Sequence, residues 1–228
     1  MKKDKKKIVV IIPVKANSTR IPGKNTKFLA GKPMMAYIIE SALKVKSVDR
    51  VVVTTESKEL AGIAKKYGAD VPFLRPASLC DDHTTSLEVI QHALKELEEK
   101  EGYVADYVLL VYATSPLLKS ERIEQAINIA LEKDSDSVFS GTYDKGHYWK
   151  EVGGKWERLY PKKLLCSQFQ EPLVKENGAI YLTKTSILKK QMVADKADVL
   201  IMEKEENIDV DYPEDFAEVE GILLKNKK

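Results

Sequence analysis

Residues 8–14, IVVIIPV, running straight into KANSTRIPGKN (15–25), decide the fold of this chain. A continuous, mostly β-branched apolar run has no polar face, so it reads as a strand buried on both sides, the kind found in parallel sheets. The downstream rhythm agrees. PMMAYIIESALKV (33–45) places Met34, Tyr37, Ile38, Ser41 and Ala42 on one helical face, with Pro33 in the first turn. A second buried strand is expected over 48–56 and a helix over 57–68 that opens on Ser57 and stops at Gly68. A short strand at 71–74 follows, then a helix over 86–100 with Leu87, Ile90, Ala93, Leu94 and Leu97 in one stripe. Strands at 107–114 and 137–143 flank a capped helix at 120–133. Strand and helix alternating in this way predict βαβ units: an α/β, doubly wound, mostly parallel sheet with helices on both faces.

The pattern breaks from Asp144 to about Lys175. HYWKEVGGKWERLYP alternates aromatics around Gly153 and Gly154 and reads as a β-hairpin on a β-rich excursion from the main sheet. A strand at 179–185, a helix over SILKKQMV, a short strand at 199–203 and a closing helix at 213–225 complete one domain over 1–228. The 228 residues are enough to bury a core without disulfides. Lys and Arg total 37 against 35 Asp and Glu, and no basic stripe carries interleaved aromatics, so nucleic acid is excluded as the expected partner. The terminal runs KKDKKK and KNKK read as solvated, frayed tails. Cys80 and Cys166 lack paired-thiol spacing, and no stretch is long enough to span a membrane or to serve as a signal peptide; a cytoplasmic protein is expected.

The loop after the first strand lies where open α/β sheets bind ligands. Lys15, Arg20, Lys24 and Lys27 crowd it, with Asn17, Ser18 and Asn25 as hydrogen-bonding neighbours and a tight turn at Pro22-Gly23. Four cations on one loop repel each other unless something negative arrives, so the loop reads as a polyanion site, against the alternative of a basic solvated loop. It fits neither a Walker loop nor GxGxxG. In IDVDYPEDF (208–216), Asp209 and Asp211 alternate, and on an extended segment their carboxylates face one side, about 7 Å apart. Two carboxylates with phosphate oxygens suit Mg²⁺; an acidic helix N-terminus built on Asp211 and Glu214 is the alternative. Asp81, Asp82 and His83 suggest either a weak metal site or helix N-terminal charge ahead of Ser86.

These segments, together with FLAGKPMMAYIIESAL, VDRVVVTTES, FLRPASLCDDHTTS (73–86), YATSPL (112–117) and ENGAIYL (176–182), resemble the acylneuraminate cytidylyltransferase family in order and along nearly the whole chain. The resemblance implies a Rossmann-like nucleotidyltransferase fold whose excursion packs against a second subunit in a homodimer. It implies transfer of CMP from CTP to a nine-carbon 2-keto sugar acid with Mg²⁺ on Asp209 and Asp211. Lys15, Asn17, Ser18, Arg20, Lys24 and Asn25 would then serve the triphosphate, with Lys24, Arg20 and Asp211 in catalysis. Arg75 and Ser86 match base-contacting positions, and Tyr112, Thr114, Ser115, Gln168, Asn177 and Gly178 fall on substrate-binding segments. Lys15 stands where that family usually has arginine, Thr19 where lysine is common, Tyr112 where the sialic acid enzymes have glutamine, and Ser167 and Phe169 replace an arginine and an aspartate beside Gln168. Lys162, Lys163 and Lys175 are the remaining candidates for the sugar carboxylate. The Trp149, Trp156 and Tyr160 cluster reads as dimer core. A Kdo cytidylyltransferase and a catalytically weak, nucleotide-binding regulatory homologue are the rival readings.

Overall fold

The computed structural model describes residues 5–18, 20–144, 146–160, 173–203, 206 and 208–226. Strand β1 (Ile8–Pro13) lies inside a six-stranded sheet, with β4 (Arg50–Thr54) on one side and β5 (Tyr107–Leu110) on the other, both parallel to it. The small antiparallel pair β2 (Phe28–Leu29) and β3 (Lys32–Pro33) carries the chain from the basic loop into α1 (Met34–Leu43). Helix α1 makes the crossover from β1 to β4, α2 (Lys58–Lys66) and α3 (Ser86–Glu101) lie between β4 and β5, and α4 (Ser120–Lys133) lies between β5 and the next strand. Strand β6 (Ser137–Asp144), the hairpin β7 (Trp149–Val152) and β8 (Lys155–Arg158), β9 (Leu173–Lys184), β10 (Asp198–Ile201) and α5 (Pro213–Lys225) complete the order β10-β6-β9-β5-β1-β4.

The unbroken apolar run of β1 is explained by what it touches. Ile8, Val10 and Ile12 pack with Met35, Ile38 and Ala42 of α1 and with residues of α2 and α4. Val9 and Ile11 face the other way, toward Ile90, Ala93 and Leu97 of α3. Each fully buried Val or Ile side chain contributes roughly 1.5–3 kcal/mol from its removal from water. The caps are local and legible: Ser57 accepts from the Leu60 amide, and Thr85 and Glu88 form a capping box ahead of α3. At the hairpin, Gly153 and Gly154 both take positive φ, 57° and 76°, as a two-residue turn of right-handed twist demands.

Several expectations are corrected. Residues 71–74 form no strand; only Asp70 bridges to Val52, and Phe73 turns inward onto α3. SILKKQMV makes one 3-10 turn at Ile187–Lys189, with Leu188 as its one buried side chain. The strand expected over 179–185 begins at Leu173 and runs antiparallel to both β5 and β6, so β6 and β9 continue past the sheet as an arm. Helix α4 starts without a side-chain cap, Lys119 standing where a capping side chain is wanted. Helix α1 is buried almost all round rather than on one face, because Met34 and Tyr37 join a third cluster with Ile21, Val210 and Phe216.

The basic N-terminal run is also tied down where it is described. The Lys7 carbonyl accepts from the amides of Asp106 and Tyr107, and Lys5 and Lys6 pair with Asp49 and Asp106. Lys2 and Lys3, Thr19, Lys145, Lys162, Lys163, Cys166, Ser167, Gln168, Phe169 and the last two lysines lie outside the described residues. Among the described residues no helix is long and apolar enough to cross a membrane.

Candidate active site

Register brings the parts together. Pro13 sits opposite Thr54, so β1 and β4 end at one level, and the chain segments after β1, β4 and β5 emerge side by side at the carboxyl edge of the sheet. The basic loop is a folded object. Gly23, at φ +64°, lets its carbonyl accept from the amides of Thr26 and Lys27, both at 3.0 Å. Asn25 is buried and donates from Nδ2 to the Lys15 carbonyl at 2.9 Å, stapling the loop's end to its beginning. Ile21 docks in the third core against Val210 and Phe216, so the loop rests on the start of α5.

Three of the loop's four cations meet carboxylates of the chain itself. Lys15 Nζ is 2.6 Å from Asp82, Arg20 Nη2 is 3.0 Å from Asp211, and Lys24 Nζ is 3.2 Å from the same Asp211 oxygen. Lys24 also donates to the Val210 carbonyl at 2.7 Å. Arg20 lies over the Tyr212 ring, 5.0 Å from its centroid, and Lys27 over Phe216 at 4.6 Å. The negative charge that the basic loop calls for is therefore already supplied from within, by residues 82 and 211.

Lys15, Ser18, Arg20, Lys24, Asn25, Tyr112 and Thr114 line one cavity of about 210 Å³, together with Pro13, Asp82 and Ala113. Tyr112 Oη is 2.7 Å from Ser86 Oγ, which joins the strand β5 exit to the start of α3, and burial pushes the Tyr112 phenol up from its ordinary range. Asp209 and Asp211 are drawn alongside by the Val210 amide, which donates to the Thr114 carbonyl at 2.8 Å. Burial raises the Asp209 carboxyl above its usual range and the Asp211 charge adds to this, against the opposing hydrogen bond with Thr114 and the charge of Lys24. Asp211 is not the helix cap. Asp215 reaches back to accept the amides of Asp211 and Tyr212 at 2.9 and 2.7 Å, leaving the Asp211 side chain free for its ion pairs. Two carboxylates beside a cavity lined by cations form a donor set that fits a hard divalent ion whose other ligands are phosphate oxygens.

The remaining residues singled out in the sequence lie elsewhere. Asn17 is exposed on the loop, and Ser115 is buried behind Tyr112, whose carbonyl takes its amide. Arg75, only 5% exposed, donates to the Val14 carbonyl and faces Glu56 and Cys80, so its guanidinium is aimed into the protein. Asn177 accepts from Ser140 Oγ at 2.6 Å and reaches Met202 Sδ, next to Gly178 at φ +75°; neither lines the cavity. Asp81 spends its acceptors on His83 and Thr84, and among the described residues no three His, Cys, Asp or Glu side chains converge as a metal site. Glu56 escaped the sequence reading. It accepts from the Ala16 amide at 2.7 Å and faces Arg75 at 3.4 Å, so it anchors the loop's first turn. Its signal was an acid placed just after β4, at the same edge as Lys15 after β1.

A doubly wound sheet with a basic loop after its first strand and an acid pair beside the cavity is the architecture of a nucleotidyltransferase domain. The fold superposes on a solved CMP:2-keto-3-deoxy-manno-octonic acid synthetase complexed with CTP, with a TM-score of 0.71 at 17% identity over 96% of this chain and 99% of that one. A family model described as cytidylyltransferase matches residues 9–222. The chain is 31% identical over 231 residues to the CMP-N,N'-diacetyllegionaminic acid synthase of Legionella pneumophila, covering 97% of this chain and 98% of that one. It is 38% identical over 136 residues to the pseudaminic acid cytidylyltransferase of Campylobacter jejuni, covering 60% and 58% of the two chains. The chain belongs to the cytidylyltransferase family.

Proposed function

We propose that the chain transfers CMP from CTP to the anomeric hydroxyl of a nine-carbon 2-keto sugar acid and releases pyrophosphate. The observation that carries this reading is the cavity itself: a cation-lined space at the carboxyl edge of the sheet with two carboxylates beside it, in a chain similar over nearly its whole length to a CMP-nonulosonic acid synthase. The hydroxyl oxygen would attack the α-phosphorus in line, forming one P–O bond as the bond to the bridging oxygen of pyrophosphate breaks. Catalysis of this kind is positioning plus stabilisation of charge on phosphate oxygens.

Lys15, Arg20 and Lys24 would supply the positive charge that stabilises those oxygens, Ser18 a hydroxyl, and Asn25 holds the loop in shape. Asp209 and Asp211 would hold Mg²⁺, which when bound neutralises phosphate charge and lowers the pKa of a coordinated hydroxyl. Tyr112, locked to Ser86, borders the space beside the loop where the acceptor or the base would lie. Legionaminic, pseudaminic and N-acylneuraminic acids are the leading acceptors, because relatives that match are named for each of them. The likeness to the Kdo enzyme, at 17% identity, supports the fold and not that substrate.

The same chain is expected to form a cytoplasmic homodimer through the β7–β8 hairpin and the start of β9. Trp149, Trp156, Leu159 and Leu173 are exposed there, and Tyr160 stacks on His147 and meets Trp149 edge-on, a preorganised apolar surface of the sort that a second copy covers. The test of the function is pyrophosphate release with Mg²⁺ and each of the four nucleoside triphosphates, against Neu5Ac, legionaminic, pseudaminic, Kdn and Kdo acceptors. Release with CTP and one nine-carbon acid is expected; release with Kdo alone would move the reading to the rival enzyme. CTP binding with no turnover on any acceptor would favour the regulatory homologue.

A further inference from the structure

The pairing of Asp211 has a chemical consequence. A carboxylate that faces two cations within 3.2 Å is a poor ligand for a third, doubly charged one. Counted formally, Arg20 and Lys24 contribute two positive charges and Asp209 and Asp211 two negative, so the cluster is neutral before any ligand arrives. The partners are held in place. Lys24, with its side chain 11% exposed, is fixed by the Val210 carbonyl, Arg20 by the Tyr212 ring, and the Asp211 backbone by Asp215. What is free to change is which charge each side chain serves.

We propose that Asp211 is an exchangeable counter-ion: without nucleotide it neutralises Arg20 and Lys24, and a bound triphosphate takes over those two cations and releases Asp211 to a divalent cation. Nucleotide and metal then bind as a coupled pair, each strengthening the other by the same factor. This rests on the reading of the loop as the triphosphate site and of the acid pair as the metal site. Two consequences run against the usual effect of removing a binding-site residue. Asp211 competes with nucleotide when metal is absent, and Arg20 and Lys24 compete with metal when nucleotide is absent.

The experiment is calorimetric titration of CTP in EDTA and Mn²⁺ binding followed by electron paramagnetic resonance without nucleotide. It uses the full chain, Asp211→Asn, and the double variant Arg20→Gln with Lys24→Gln, each checked by thermal melting. Asp211→Asn is expected to bind metal-free CTP about tenfold more tightly than the parent, a gain of about 1.4 kcal/mol. The double variant is expected to bind Mn²⁺ alone about tenfold more tightly, and to lose that gain when Asp211→Asn is added. Should one variant fail to fold, the other carries the test. Unchanged or weaker CTP binding by Asp211→Asn, or unchanged Mn²⁺ binding by the double variant, overturns the exchange. If the parent still binds CTP with Mn²⁺ in those cases, the site reading survives; a parent that binds neither ends both.

Discussion

Replacing Lys24 by methionine separates what this side chain does for the fold from what it does for the ligand. The stem is nearly buried, with the side chain 11% exposed, and methionine keeps most of that packing while removing the ammonium. In the free chain the loss falls on the Val210 carbonyl, which accepts from Lys24 Nζ at 2.7 Å; Asp211 keeps Arg20. An orphaned carbonyl costs about 1–3 kcal/mol, and the lower end applies because Arg20 and Asp211 beside it remain open to solvent. About 1 kcal/mol corresponds to a fall in Tm of about 2–4 °C for a chain of this size.

The ligand loses more. A charge-assisted hydrogen bond to phosphate contributes about 1.5–3 kcal/mol, a loss of roughly tenfold to 150-fold in affinity for CTP. CMP lacks the two terminal phosphates and is expected to lose less than about threefold, well under 1 kcal/mol. Calorimetric titration of both nucleotides with Mg²⁺ and no acceptor reads the two losses side by side. Equal losses for CTP and CMP would refute the assignment of Lys24 to the triphosphate. A drop in Tm beyond 10 °C would show that its structural role had been underestimated.

Glu56→Ala is expected to lower stability by about 3 kcal/mol, because it strips the buried Arg75 of its charge partner and the Ala16 amide of its acceptor; Glu56→Gln should restore about half, and thermal melts decide. Burial pushes the Glu56 carboxyl up, but the Ala16 hydrogen bond and Arg75 outweigh it and hold it below its ordinary value. A depressed acid stabilises above its unfolded pKa and loses that contribution as pH falls through the folded one, so the gap between parent and Glu56→Gln should narrow below about pH 4. Deleting residues 2–7 should lower Tm through the lost Lys7 backbone pairing with residues 106 and 107 while leaving kcat unchanged, since these contacts lie at the opposite edge of the sheet from the cavity. Trp156→Lys should shift the chain to monomer in sedimentation analysis; an unchanged dimer would place the contact elsewhere.

What was legible in the sequence was local. The β1 run, the Ser57 cap and the Gly153-Gly154 turn each declare themselves within a few residues, because burial, capping and positive φ are demands on neighbours. The direction of β9 was not legible, since a strand buried in mid-sheet has the same apolar composition whether its partners run parallel or antiparallel. Ile187, Leu188 and Met192 have helical spacing, yet only Leu188 finds a deep core, and Thr183 Oγ1 binds the Met192 carbonyl that a helix would have used. At the candidate site, residue types pointed to the carboxyl edge of the sheet, where the structure gathers these loops, but partners did not follow from them. Lys15 finds Asp82 across 67 positions and Lys24 finds Asp211 across 187, pairings that only the folded sheet creates. Asn25, a ligand donor by residue type, lines the cavity and also staples the loop; Arg75, a base reader by its match, has its guanidinium on Val14 and Glu56.

The most direct test of the central claim is ³¹P NMR of the chain with Mg²⁺, CTP and the nine-carbon acid that supports pyrophosphate release. Loss of the three CTP resonances with stoichiometric growth of pyrophosphate and a single new phosphodiester signal is the predicted result. Conversion of CTP to CMP and pyrophosphate without a phosphodiester, or an unchanged CTP spectrum with every acid tried, would contradict it.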